Sequence, residues 1–213
     1  MAKQTIPALD DPTCDLLYNG GVKLAGDVRC RTIYVTGGCL DVAGHRLEFE
    51  SGGVAAPLKG DGSPDVALTG SHGTIRCSRV LELVGFRNDG IKLGLCDSLI
   101  SLLYLRPLKA PPGAHQDGGQ VNEGNTDSRV SIVTIDFLGP SEGCNSGLFF
   151  NGSAEDVQVW GGTIINPAGA HGAFIGTQMV RSGVRNCRIR ANLHPVRDNS
   201  ADGWSSDGSN VIL

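Results

Sequence analysis

Between residues 89 and 190 short apolar runs alternate with glycine and small polar residues, and the alternation repeats. Four segments align: "DGIKL" from Asp89, "DGGQV" from Asp117, "SGLFF" from Ser146 and "HGAFI" from His171, with starts 28, 29 and 25 residues apart. A second series follows them, "DSLISLLYL" from Asp97, "DSRVSIVTI" from Asp127, "AEDVQVWGGTI" from Ala154 and "RSGVRNCRI" from Arg181, at offsets of 30, 27 and 27. Two interleaved series sharing one period predict a supersecondary unit with at least two short strands per repeat. β-branched residues inside the runs, with Gly, Asn, Asp and Ser at their borders, are strand chemistry rather than helix chemistry. The L-x-x-L-x-L-x-x-N frame of leucine-rich repeats, which share this period, is absent. The expectation is an all-β, single-domain solenoid of stacked parallel strands.

In such a stack successive rungs lie about 4.8 Å apart and bury an apolar column along the axis. Alternation then points Ile91, Leu93, Val121, Leu148, Phe150, Ala173 and Ile175 inward, and Lys92, Gln120, Phe149 and Phe174 outward. In the second series Ile100, Leu102, Val130, Ile132, Val157, Val159 and Val184 are expected inside. The N-terminal third fits less regularly, alternating around Gly37-Gly38 and Gly44 and again around Gly70 and Gly73. Residues 1 to 24, with Pro7, Pro12 and Asn19-Gly20-Gly21, read as an N-terminal arm or cap, and 25 to 190 as the solenoid. Residues 191 to 213 abandon the repeat and end in an apolar triplet, so they read as a C-terminal cap or oligomer contact, with Trp204 over the last rung.

The segment "LDVAGHRLEF" resembles the L-D-x-x-G-H-x-I stretch near the first coils of the right-handed parallel β-helix, or pectate-lyase-like, superfamily, and "GVRNCRI" is similar to that superfamily's V-x-N-x-x-I rungs. The resemblance covers residues 25 to 190 and implies a right-handed parallel β-helix. It speaks to fold more than to activity.

Composition narrows the function. At 213 residues one sizeable core suffices, and 31 glycines with 5% aromatics suit turns and small aliphatic packing. No apolar window of about 18 residues is present to span a bilayer, and the start MAKQTIPALDD lacks an apolar signal-peptide core. A net charge of −4 with scattered cations argues against nucleic acid, although isolated cations suit an acidic sugar. Seven widely spaced cysteines without a C-x-x-C pair suggest neither a zinc site nor a disulfide framework, and most read as small buried hydrophobes.

The densest chemistry lies in "PPGAHQDGGQ", residues 111 to 120. The repeat alignment puts Asp89, Asp117, Ser146 and His171 in one column, so Asp89 and Asp117 are predicted neighbours about one rung apart. Two such carboxylates raise one pKa between them, and about 5 to 5.5 Å is the spacing of a retaining glycosidase. His115 would orient the pair or shuttle a proton. Its HxDGxQ pattern is similar to one found in β-helix proteins of phage and bacteria. A purely structural reading competes: Asp-Gly is turn chemistry, with Gly at positive φ and Asp bonding the local backbone. Phe149 and Phe174 would offer ring faces to a sugar, beside Gln120, Lys92 and His171, or else meet a subunit. Trp160 carries the same two readings. Calcium, which the resemblance brings into view, would draw on Asp89, Asp117, Asp127 and Asp136, but the sequence has no dense Asp cluster, so no metal or cofactor is assigned.

Two functions follow. The first is a polysaccharide-directed protein that binds glycan and cleaves it, as glycoside hydrolase or lyase, through the catalytic column His115, Asp117 and Asp89. The second is a non-catalytic phage-type spike, receptor-binding or structural fibre, forming a homotrimer and virion-associated or extracellular after release. In either case the partner is a polysaccharide or cell-surface glycan, with no nucleic acid and no membrane insertion.

Overall fold

Strand-forming residues punctuated by glycine leave little room for helix, and the described residues contain one helical turn, Trp204–Ser206. The computed structural model describes residues 4–56, 66–70, 72–93, 97–110, 115–121 and 129–213. All strand pairings among them are parallel. A first sheet of nine strands runs Gln4–Ile6, Val22–Leu24, Leu40–Asp41, Leu68–Thr69, Ile91–Leu93, Asp117–Val121, Ser146–Phe150, His171–Ile175 and His194–Asp198. A second, of eleven, runs from Leu9–Asn19 through Val28–Thr36, Arg46–Ala55, Thr74–Val84, Asp97–Arg106 and Arg129–Leu138 to Gly162–Asn166, Cys187–Ala191 and Val211–Ile212, with Val157–Val159 and Gly183–Val184 alongside. The chain visits these two sheets alternately and adds to each in turn, with Ala154–Glu155 and Met179–Val180 pairing as a small third sheet, so the fold is an all-β stack of parallel strands, compatible with a parallel β-helix. Residues 4–24 supply the first strands of each sheet and residues 191–213 the last.

The core runs between the sheets. On the first, Ile91, Leu93, Val121, Leu148, Phe150, Ala173 and Ile175 are all buried, as alternation predicts. Each large aliphatic or Phe side chain so buried contributes about 1.5–3 kcal/mol relative to exposure.

The long strands of the second sheet differ. In Arg129–Leu138 the core residues are Val130 and Ile132, then Ile135 and Phe137, and the step of three in the middle breaks the alternation once. The strand bends there, so both of its halves face the core. Register shifts beside Ile100 and Phe49 mark the bend in earlier rungs. Leu102, expected inside, therefore sits half-buried at the corner, and Leu103 takes the core position. Strict alternation carried across an unseen bend produced that error. Ile100, Val130, Ile132, Val157, Val159 and Val184 lie before the bend and are buried. In the next turn the bend separates Val157–Val159 from Gly162–Asn166, with Gly162 at φ 105° and no room for a Cβ, which would fall 1.8 Å from the Ile135 carbonyl oxygen.

Candidate functional site

Register places Asp117 opposite Ser146, Ser146 opposite His171 and His171 opposite His194. Gly119 pairs with Ile91, and the Asp89 Oδ1 accepts the Asp117 amide at 3.0 Å, so Asp89 stands one rung before Asp117. The column read from the repeat is thus a physical column. The glycine after each member has a reason of its own. A Cβ on Gly90 would lie 2.4 Å from the Gly118 carbonyl oxygen, one on Gly118 2.4 Å from that of Gly147, and one on Gly147 2.6 Å from that of Gly172. None of these glycines has a positive φ, which corrects the turn reading of Asp-Gly: close rung approach demands glycine here, not a left-handed turn. The Asp89 carboxylate likewise bonds the next rung rather than its own local backbone.

Both carboxylates are buried, Asp89 2% and Asp117 0% exposed. The Asp89 Oδ2 meets the Lys92 ammonium at 2.8 Å, so this carboxylate is neutralised by a half-buried cation. Asp117 is served differently. Its Oδ1 accepts from the Asn145 Nδ2 at 3.1 Å, while its Oδ2 has no well-aligned hydrogen bond and lies 3.2 Å from the Nδ1 of exposed His115. Burial pushes Asp117 up to about 6; the Asp89 charge adds to this, while His115, Asn145 and Ser146 oppose it. The result is a carboxyl that changes charge near neutral pH, in contact with an imidazole that reaches solvent.

Beside this pair runs an outward column, Lys92, Gln120, Phe149, Phe174 and Arg197, in consecutive rungs. The Phe149 and Phe174 rings stack at 4.9 Å and 18°, His115 meets Phe149 edge-on at 5.6 Å, and the Arg197 guanidinium stands 5.6 Å over Phe174. Each phenyl thus has one face on the other, and what they offer a sugar is chiefly their rims. His171 packs on Phe174 at 5.5 Å and on His194 at 5.4 Å; burial, with His194 and Arg197 nearby, lowers its pKa.

Of the expected residues, His115, Asp117, Asp89, Gln120, Lys92, Phe149, Phe174 and His171 all belong to this one wall. Asn145 was not anticipated, although it precedes the column residue Ser146 as Gln116 precedes Asp117. Residues 111–114, the start of "PPGAHQDGGQ", lie outside the described residues, as does Asp127. Asp136 is on the second sheet, bound to Arg106 at 2.8 Å, so it does not join Asp89 and Asp117 as a calcium ligand. Among the described residues no group of three or more His, Cys, Asp or Glu is placed to hold a metal ion. Trp160 lies at the bend of the second sheet, edge-on to buried Trp204 at 5.3 Å, away from this wall. Two clefts of about 500 and 610 Å³ also open on the second sheet, lined by Arg29, Arg46 and Glu48, whose charges are already paired with one another. Chemistry therefore points to the wall, where an ionisable group is out of balance, rather than to the more concave surface. Compared with protein-family models, curated proteins and solved structures, the chain has no significant match.

Proposed function

We propose that the chain is a right-handed parallel β-helix of the pectate-lyase-like kind, with terminal caps, that binds polysaccharide along the Lys92–Gln120–Phe149–Phe174–Arg197 wall and cleaves it by proton transfer through His115 and Asp117. The alternating parallel topology supports the architecture. One observation carries the site: a buried carboxyl raised to about 6 and held against an exposed imidazole at the edge of an extended outward column. A group poised near the working pH is suited to acid–base catalysis. His115 is the member that reaches ligand, and Asp117 sets its orientation and charge. Asp89, engaged by Lys92 and the Asp117 amide, is not free to attack a sugar, so its part is to raise Asp117 rather than to complete a retaining carboxylate pair. Lys92, Gln120 and Arg197 supply polar contacts, and the phenyl rims an apolar strip.

The non-catalytic spike reading keeps one observation in its favour: Phe149 and Phe174 spend a face on each other, as a purely structural ladder would. In that reading exposed Leu99, Val133 and Trp160 on the second sheet face sister chains of a homotrimer, and the protein acts on a virion or after release from the cell.

The test is incubation with bacterial capsular and acidic plant polysaccharides, following reducing ends and the absorbance of unsaturated uronate. Cleavage that His115→Ala and Asp117→Asn both abolish, with binding retained, is the expected result. Binding of a glycan without either product, together with the sedimentation mass of three chains, would replace the enzyme with the spike.

A further inference from the structure

Three side chains at this site close a ring. The Asn145 Nδ2 lies 2.9 Å from the His115 Nε2 and 3.1 Å from the Asp117 Oδ1, and the His115 Nδ1 lies 3.2 Å from the Asp117 Oδ2. Asn145 is held in place by its backbone on both sides: its amide donates to the Gln116 carbonyl at 2.8 Å, and its carbonyl accepts the His171 amide at 3.0 Å. The side chain is therefore aimed by the ladder itself.

An amide nitrogen donates and does not accept, so the His115 Nε2 that faces it must present a lone pair. The proton of the neutral imidazole then sits on Nδ1, the nitrogen 3.2 Å from the Asp117 Oδ2. Turning the Asn145 amide over would set its Oδ1 against the Asp117 Oδ1, two acceptors facing each other, and would forfeit the donor to both neighbours.

We propose that Asn145 is a positioning residue: its amide fixes the neutral imidazole of His115 in the Nδ1–H form and covers Nε2 until the ligand takes the amide's place. This rests on the role proposed for His115 and adds which nitrogen meets the ligand. On an acidic polysaccharide the Nε2 lone pair takes the C5 proton of a uronate, whose C–H electron pair forms the C4=C5 double bond as the C4–O4 bond breaks. Nδ1–H stays beside Asp117, and the same Nε2–H then passes to the leaving O4.

The tautomer can be read directly by long-range 15N–1H correlation on histidine-labelled protein in mildly alkaline buffer. The expected spectrum has a protonated Nδ1 and an unprotonated Nε2 for His115, and Asn145→Ala moves the ring toward the Nε2–H form. Asn145→Ser is a second variant should the first fold poorly, and the wild-type spectrum needs neither. With a cleaved glycan in hand, Asn145→Ala lowers kcat about 10- to 100-fold while KM changes little, the scale on which hydrogen-bonding partners of metal-bound histidines act. A wild-type ring in the Nε2–H form, or a tautomer indifferent to both variants, overturns the assignment even if His115→Ala abolishes cleavage. Conversely, a ring that obeys Asn145 in a protein that cleaves no glycan refutes the glycan reading and leaves this one standing.

Discussion

Two columns, an exposed one on the second sheet and a buried one on the first, treat charge in opposite ways. On the second sheet Asp10, Arg29, Glu48 and Arg76 occupy consecutive rungs of one column, so the sign alternates at each step. Arg29 lies 3.2 Å from Glu48, and Arg76 reaches Asp97 at 2.9 Å. In the same sheet the Arg31 Nε donates to Asp15 at 2.9 Å, and this hydrogen bond holds the Asp15 carboxyl down at about 2. The first sheet instead buries two carboxylates, Asp89 and Asp117, on adjacent rungs, and burial above all, with a smaller addition from the Asp89 charge, drives the second up to about 6. The same rung spacing neutralises one column and frustrates the other. Alternating exposed pairs are what a solenoid needs for solubility and register, and each is worth little. A buried like-charged pair works against the fold, and sites of that kind are where function concentrates.

The contrast can be broken most forcefully at the glycine that lets the frustrated column close. Gly118→Ala would set a Cβ 2.4 Å from the Gly147 carbonyl oxygen and 2.6 Å from the Phe137 ring, so a loss of about 3 kcal/mol is expected in urea denaturation. A mutant as stable as the parent would mean the rungs are not packed as described.

Asp117→Asn comes next, and its sign is opposite to that of most buried substitutions. The folded-state pKa of Asp117 is raised, so the stability it contributes is fully present below its unfolded value, about 4, and is lost as pH rises through about 6. At neutral pH that loss amounts to roughly 3 kcal/mol at most. Asn removes the charge and forfeits part of the hydrogen bonding, so the variant should be about 1–2 kcal/mol more stable than the parent at pH 7, with no gain at pH 4. Destabilisation at both pH values would place Asp117 among ordinary structural carboxylates.

The smallest effect is expected on the second sheet. Asp15 is depressed, so its contribution is present above the unfolded value and lost only as pH falls through about 2. Because the pair is exposed, Asp15→Asn should move the neutral-pH denaturation midpoint barely beyond experimental scatter, and high salt should erase the difference. A shift as large as that of Asp117→Asn would abolish the distinction between the two sheets.

Much of this was legible in the sequence because a stack converts sequence period into spatial adjacency. Asp89, Asp117, Ser146 and His171 share a glycine partner at fixed spacing, and the column followed from it. Leu102 was misplaced because a bend changes the phase of alternation without leaving a Gly or Pro to mark it, whereas Gly161-Gly162 announces the same corner two turns later. The burial of Asp117 and its contact with Asn145 were not legible, since spacing gives the adjacency of rungs but not the direction in which the Asn145 side chain turns. Nor could the stacking of Phe149 on Phe174 be read as face against face; spacing shows adjacency, and ring orientation belongs to packing.

The most direct measurement is a 13C titration of the Asp117 side-chain carboxyl in the intact protein, with Asp15 as the internal reference. The Asp117 midpoint is expected near 6 and the Asp15 midpoint near 2. An Asp117 midpoint at or below the ordinary carboxylate value of about 4 would contradict it.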